Sequence, residues 1–593
     1  MATLSAAEVR QGSMSPESHA IRAVFRTRFV FLLVCVVLGF LQAWATRLSI
    51  VNDTVSYLDI GLSIWHGHWT AAVNGLWNPL YAAILGGVVG VLRPSIQWEY
   101  PLVHLILFFI FLGTLWCYDF FLNQVILFRE STESEDSAAV PAWIWLSIGY
   151  LLFLWSSLRL IGVSETNPDM LVAAFFYAAC GLLAMIQRRA AGWPAYIGFS
   201  VVLGLGYLTK SVMFPISIVC FAALAVMGRD QWKRVLTSFG IFLAICAPYI
   251  LALSASRGHL TFGESGPYNY AVHVDQLPGV HWQGSPGSPY GMPLHPSRLL
   301  VTHPATYAFA GGPGGTYPSW TDPSYWYEGV DPRVSPRLII TTGVKLAFAE
   351  FNFLFDLHGS MLAGLFMLFY VSGRRWSLLG DIGRFWFLVV PCLAALSLYA
   401  LVHVEPRYIA PFLDTLLFVL FLSPRLGAAG NNRRLVEGLS ALLLVMYFLP
   451  IGSPSLNVKG LVRDILGRSQ PDPDAPAEVV KGMYDLGLRP GDRIASLQWS
   501  LYGNSTWAHL ARVRIAGEVF YWPTQPETSD NDFWRADPAV QESVIRALAG
   551  TGASFIVSEL PPPDSAVAGW QRVGNSHYYA YSLRPDQFLS QRR

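Results

Sequence analysis

FVFLLVCVVLGFLQAWAT, residues 29–46, is an almost wholly apolar run, close to the length that crosses bilayer hydrocarbon as a helix. The stretch before it, residues 1–28, is polar and carries Arg10, Arg22, Arg26 and Arg28. A secretory signal has a shorter apolar core and a small-residue cleavage site. The run therefore reads as a first membrane helix whose basic flank, a cytoplasmic tail of residues 1–28, stays inside. Working outward, further apolar runs of spanning length occupy about 100–128, 142–160, 169–187, 235–254, 338–370, 385–402, 408–423 and 435–452. Two shorter runs, 195–209 and 212–227, meet at Tyr207-Leu208-Thr209-Lys210-Ser211. A continuous helix there would bury an ammonium at mid-membrane, so they read as two short helices with Lys210 at a shared, solvent-accessible turn. The expectation is eleven transmembrane helices.

Composition agrees. Of 593 residues, 53% are apolar and 13% charged, about half the charge of an ordinary globular chain. Lys and Arg number 40 against 39 Asp and Glu, a net charge of +1, which argues against a nucleic-acid partner. The six cysteines each sit in an apolar run without a CxxC pair, so they read as small hydrophobes and not as a disulfide or zinc framework.

Orientation follows from the basic clusters at Arg188-Arg189, Arg229/Lys233/Arg234, Arg374-Arg375 with Arg384, and Arg425 with Arg433-Arg434. Eleven crossings with the N-terminus inside put all four in cytoplasmic loops, as the positive-inside rule requires. The same parity places 49–99, 161–168, the Lys210 turn, 256–337, 403–407 and everything after Gly452 outside. Pro79–Leu92 is apolar but short; as a crossing it would invert every later loop, so it reads as re-entrant or flat on the membrane. The long outer loop 256–337 is rich in Gly, Pro and aromatics, among them Tyr268, Trp282, Tyr317, Trp320, Tyr325, Trp326 and Tyr327. Such rings suit stacking on sugars or an interfacial belt.

The expected organisation is a transmembrane catalytic region over 29–452, a linker over 453–476, and a small extracytoplasmic α/β domain over 477–593. In that last part, 492–497 and 554–557 read as strands, 539–548 as a helix, and 570–573 with 578–581 as a hairpin around Gly574-Asn575. No glycine-rich phosphate loop opens it.

Four places on the outer face carry ionisable groups: Asn52-Asp53-Thr54-Val55-Ser56-Tyr57, Glu165-Thr166-Asn167-Pro168-Asp169, Lys210, and His403-Val404-Glu405-Pro406-Arg407-Tyr408. Any one alone reads as a solvated loop or, for Asp53 and Asp169, a helix cap. Together they suggest chemistry on an anionic, lipid-borne substrate.

These motifs resemble the GT-C class of membrane glycosyltransferases, which includes protein O-mannosyltransferases and aminoarabinose transferases acting on lipid A. Asp53 with Tyr57 matches the D-x-x-x-Y pattern of the first outer loop, followed by Gly61, Trp65-His66-Gly67-His68-Trp69 and Trp77-Asn78-Pro79-Leu80-Tyr81. Pro168-Asp169-Met170 matches the acidic second loop, Gly204 to Lys210 the Gly-x-x-x-Leu-Thr-Lys segment, and Glu405 to Pro411 the late Arg-Tyr-x-x-Pro segment. Thr54 stands where these enzymes often carry a second acid. The resemblance implies a mainly helical, polytopic membrane enzyme that uses a sugar on a polyprenyl phosphate. Its acceptor would be a glycan, lipid or protein hydroxyl, reached at the outer face of a bacterial inner membrane. In that reading Asp53 is the base, and Lys210 and Arg407 hold the donor phosphate. Asp169 and Glu165 bind sugar or acceptor hydroxyls, or a divalent ion if one is used. Tyr57, His403, Glu405 and Tyr408 complete the substrate-binding set. No cofactor is certain. The competing readings are a flippase for a lipid-linked sugar and a non-catalytic scaffold in envelope polysaccharide assembly.

Overall fold

The computed structural model describes residues 16–132, 140–277, 281–284, 287–309, 315–372, 378–424, 438, 462–464, 466, 472–521, 532–563 and 568–584. The chain is mainly helical. In order the helices are α1 (Pro16–Thr46), α2 (Asn52–Trp65), α3 (Pro79–Leu92), α4 (Ile96–Thr132), α5 (Ala142–Trp155), α6 (Asp169–Gln187), α7 (Trp193–Thr209), α8 (Met213–Met227) and α9 (Trp232–Arg257). Then follow α10 (Ser265–His273), α11 (Pro318–Thr321), α12 (Pro336–Ser372), α13 (Leu378–Gly383), α14 (Trp386–Ala400), α15 (Pro406–Leu422), α16 (Pro476–Asp485), α17 (Asn504–Leu510) and α18 (Pro538–Ala549).

Each apolar run up to residue 423 is helical, and the last, 435–452, lies outside the described residues. Among the described residues, five helical segments are long and apolar enough to cross a membrane: 20–46, 96–132, 142–161, 169–187 and 229–257. Helices α3, α7, α8 and α14 are apolar but shorter. Among the described residues the cysteines are free, and all but the half-buried Cys117 are buried.

Two local features position one end of these helices. First, α2 and α3 lie backbone to backbone. A Cβ on Gly61 would fall 2.1 Å from the Ala82 carbonyl oxygen, and one on Gly86 would fall 2.0 Å from the Gly61 carbonyl carbon. Fourteen residues make α3 about 21 Å long, too short to span hydrocarbon of about 30 Å alone. Second, α7 stops at Thr209, and Lys210 is extended (φ −155°, ψ 128°). Pro215 then sits in the first turn of α8, where its missing N–H leaves no bond unmade. Because only residues 188–192 join α6 to α7, the two helices run antiparallel. The start of α6 and the end of α7 therefore share one end of the bundle.

Seven strands form one sheet in the order β1-β2-β4-β3-β5-β7-β6, with β1 Arg298–Val301, β2 Thr306–Ala308, β3 Arg493–Ser496, β4 Arg514–Val519, β5 Phe555–Ser558, β6 Trp570–Arg572 and β7 Tyr579–Ser582. The β3–β4 and β3–β5 pairs are parallel and the others antiparallel. Helix α18 lays Val544, Ile545 and Leu548 against Val519 and Ile556, so the central strands are covered and read as continuous apolar runs. The 256–337 stretch shows no strand periodicity in sequence, yet it supplies β1 and β2, which join the C-terminal strands through the β2–β4 pairing.

Candidate active site

Four distant sequence positions meet at one end of the bundle. Asp53 lies in the first turn of α2, Asp169 opens α6, Lys210 follows α7, and Arg407 stands in the first turn of α15. Neither aspartate caps its helix, since the N-cap positions Val51 and Pro168 have no side-chain cap bond. Their carboxylates turn toward the cations instead. Lys210 Nζ donates to Asp169 Oδ1 at 2.6 Å. Arg407 Nε donates to Glu405 Oε2 at 2.6 Å and lies 3.8 Å from Asp169 Oδ2. Its Nη2 lies 3.9 Å from Asp53 Oδ2, while Trp320 Nε1 donates to Asp53 Oδ1 at 3.2 Å. Arg407 thus bridges all three acids. Lys210, expected at an open turn, is only 22% exposed because Asp169 draws it inward.

Neighbouring hydrogen bonds hold this arrangement. Asn78, just before α3, donates to the Tyr207 carbonyl at 2.9 Å and accepts from the Ser211 N–H at 3.2 Å, clamping the Lys210 turn on both sides. Thr54 is buried and donates to the Thr166 carbonyl at 2.5 Å. Val51 N–H donates to Thr166 Oγ1 at 3.1 Å, and Tyr81 OH donates to the Thr166 carbonyl at 2.9 Å. The threonine in the place of a second acid therefore ties the start of α2 to the segment before α6.

Aromatic rings line the cluster. Lys210 Nζ sits 3.6 Å over the Tyr408 ring, and Arg407 Nη2 donates to Tyr408 OH at 3.3 Å. Tyr57 is buried edge-on between Trp77 and Tyr81, with ring centroids 5.2 and 5.0 Å away. Trp320 stacks on Trp326 at 4.9 Å, and Tyr268 meets Trp326 edge-on at 4.2 Å. Tyr317, Tyr325, Trp326 and Tyr327 are buried, so these rings of the 256–337 stretch pack inside the protein and do not form an interfacial belt. His403 stacks on His273 at 4.0 Å and contacts Glu405 Oε1 at 3.1 Å.

The electrostatics sort the acids. Burial pushes Asp53 above the usual carboxylate range, against the pull of Arg407 and the Trp320 hydrogen bond. Burial likewise raises Glu165, opposed by Arg407. For Glu405 burial is outweighed by the His403 hydrogen bond and by Arg407, which hold it at about 2. Burial lowers Lys210 against the attraction of Asp169, and burial with the facing His403 lowers His273 to about 4. The result is one acid held low, two acids raised by burial, and two cations held by side-chain contacts.

A divalent ion fits this donor set poorly. Arg407 stands between the Asp53 and Asp169 carboxylates that would have to share it, and Lys210 already takes Asp169 Oδ1. Among the described residues no group of three His, Cys, Asp or Glu side chains is disposed to hold a metal. Three contributors escaped the sequence reading. Trp320, Asn78 and Thr166 act on residues far away in the chain; Asn78 and Thr166 stood within quoted motifs and Trp320 among the loop aromatics, but none was given a role there.

No family model matches the sequence, and no curated protein matches it. Among solved structures, the apo crystal structure of ArnT from Cupriavidus metallidurans aligns with a TM-score of 0.51 at 12% identity, covering 96% of this chain and 99% of that one. The apo oligosaccharyltransferase of Archaeoglobus fulgidus aligns with a TM-score of 0.46 at 11% identity, over 92% of this chain and 70% of that one. At such identity the likeness is one of architecture: the chain shares the fold of ArnT.

Proposed function

We propose that this chain is an inverting glycosyltransferase that moves a sugar from a polyprenyl-phosphate donor to an acceptor hydroxyl at the outer face of a bacterial inner membrane. Eleven crossings, a cytoplasmic N-terminus and an extracytoplasmic sheet-bearing C-terminal region belong to this reading. The observation that carries it is the meeting of Asp53, Asp169, Lys210 and Arg407 at the ends of four helices. That end of the bundle is opposite the Arg188-Arg189 turn between α6 and α7.

The chemistry needs a proton acceptor beside the attacking hydroxyl and cations beside the departing phosphate. Asp53 Oδ takes the hydroxyl proton as the acceptor oxygen bonds to the anomeric carbon. The bond from that carbon to the phosphate oxygen breaks in the same displacement, and polyprenyl phosphate leaves with the electron pair. Arg407 offers its fork and Lys210 a point charge to the new anion. Asp169 is a positioning residue that holds the ammonium of Lys210. Glu165 faces the same cluster and is suited to sugar or acceptor hydroxyls.

The test is transfer from a polyprenyl-phosphate sugar by purified Asp53→Asn protein. The reading expects the inverted product from the native chain and a loss of about 30-fold or more in turnover for the variant. Near-native turnover removes Asp53 from the role of base. Full activity with a nucleotide sugar and no lipid carrier rejects the donor class, and lipid that changes sides without a new glycosidic bond favours a flippase.

A further inference from the structure

The far end of α2 borders a second site. A cavity of about 620 Å³ opens between the C-terminal ends of α2 and α3 and the segment 491–514. Arg93, Arg512, Arg514 and His509 line it, facing the carboxylate of Asp59. Glu99 stands behind, bonded to His509 Nε2 at 2.9 Å and to Arg512 Nη2 at 2.5 Å. Both acids are already occupied. Asp59 accepts from the Thr316 N–H at 2.6 Å and meets His509 Nδ1 at 2.7 Å. Burial would keep His509 neutral, but Asp59 and Glu99 overcome it and raise it to about 9, so the imidazole is charged. Arg93 is exposed and has no ion-pair partner among the described residues. Arg93 therefore adds its charge beside a cluster in which His509 and Arg512 are paired with Asp59 and Glu99.

The backbone supports the rim. Arg93 and Arg512 both adopt left-handed conformations, with φ of 45° and 54°. A non-glycine residue rarely holds such a conformation, and here each case carries a guanidinium to the same cavity.

A groove of about 290 Å³ adjoins the cavity and shares Pro94 with it. It runs between α1 and α4 and is lined by Phe40, Trp44, Trp98, Leu105 and Phe108, with Arg47, paired to Asp464, and His104, bonded to the Ser49 carbonyl, also in its wall. Trp65, Trp69, Leu92 and Trp98 are exposed around the junction, a composition that marks a membrane–water boundary.

The geometry points to a binding site for an anionic phospholipid, with its phosphate among Arg93, Arg512 and Arg514 and one acyl chain in the α1–α4 groove. The shared chemistry is a phosphate group; the continuous apolar groove selects a lipid over a free ion, since a soluble phosphate has nothing to place there. Asp53 and Asp59 are six residues apart on α2, about 9 Å along its axis, and the cavity continues past Asp59 to His66 and His68 beyond the end of that helix. The proposal rests on the cavity and the groove alone and stands whether or not the chain transfers sugar.

The test titrates phosphatidylglycerol, phosphatidylcholine or inorganic phosphate into the purified full chain in detergent, with bound lipid counted by native mass spectrometry. Phosphatidylglycerol is expected to bind in preference to phosphatidylcholine. Arg93→Glu, at an exposed side chain, should weaken that binding about tenfold or more. Leu105→Trp, which fills the groove, should weaken phosphatidylglycerol but leave phosphate unchanged. A photoactivatable phosphatidylglycerol should label the 92–108 segment. Equal binding of the two lipids overturns the proposal, as does Arg93→Glu protein that binds like the native chain. Phosphate binding as tight as phosphatidylglycerol, with no effect of Leu105→Trp, overturns the lipid in favour of a soluble anion. Unchanged thermal unfolding of both variants separates lost binding from lost fold.

Discussion

Replacing Arg407 by glutamine removes the cation that stands 3.9 Å from Asp53 and 3.8 Å from Asp169. At that separation a unit charge pair is worth about 4 kcal/mol in an effective dielectric of about 20. Arg407 is 19% exposed and Asp53 29%, so solvent screening cuts the net effect to about 1–2 kcal/mol. The sign is fixed by the environment. Burial already pushes Asp53 up and Arg407 pulls it down, so its loss moves the Asp53 pKa higher. A base must be ionised to work, and the acid limb of the pH–rate profile should therefore move to higher pH. The plateau rate should also fall by about 30- to 1000-fold, because the departing phosphate loses its fork. The assay is the pH dependence of transfer from a polyprenyl-phosphate sugar, with carboxylate infrared bands assigned by difference against Asp53→Asn. An acid limb that stays in place, or moves to lower pH, refutes the coupling.

Other consequences are as direct. His509 is held charged by Asp59 and Glu99, up to about 9 from an ordinary 6.5, which corresponds to roughly 3 kcal/mol of stability. Because the folded value is raised, that stabilisation is complete below about pH 6.5 and lost as pH rises through about 9. His509→Gln should therefore lower the unfolding temperature at pH 6 and much less at pH 10. Gly61→Ala places a methyl 2.1 Å from the Ala82 carbonyl and should cost about 1–3 kcal/mol by forcing α2 and α3 apart, read as a lower unfolding temperature. Asn78→Ala releases both bonds that clamp the Lys210 turn; turnover should drop about tenfold or more, with a smaller change in unfolding temperature. Trp320→Phe removes the N–H that donates to Asp53, so the acid limb should move up, by less than in Arg407→Gln.

The helices were legible because lipid makes a simple demand on sequence: every spanning element must be long, apolar and internally hydrogen-bonded. Hence the runs beginning at 29, 100, 142 and 169 each coincide with a helix. The break at Lys210 was legible for the same reason, since an ammonium inside a continuous span is costly. The fate of the 256–337 segment was not. Its strands are short and pair with residues some 200 positions away, and its rings pack on one another in no regular period. Trp320 shows this well, because its bond to Asp53 spans 267 residues, a distance that local pattern cannot report.

By itself, the order of residues determined which stretches are helical, where they break, and which few charged groups fall at helix ends. It also supplied the motifs that resemble GT-C enzymes. Only the tertiary structure decided that Arg407 bridges Asp53, Asp169 and Glu405, that Asp169 holds Lys210, and that His509 locks between Asp59 and Glu99. The physical reason is one of range. Hydrophobicity and helix breaking act through near neighbours and leave a periodic record in the chain. Ion pairing acts through space, and its partners are chosen by how helices of unrelated sequence position come to lie side by side.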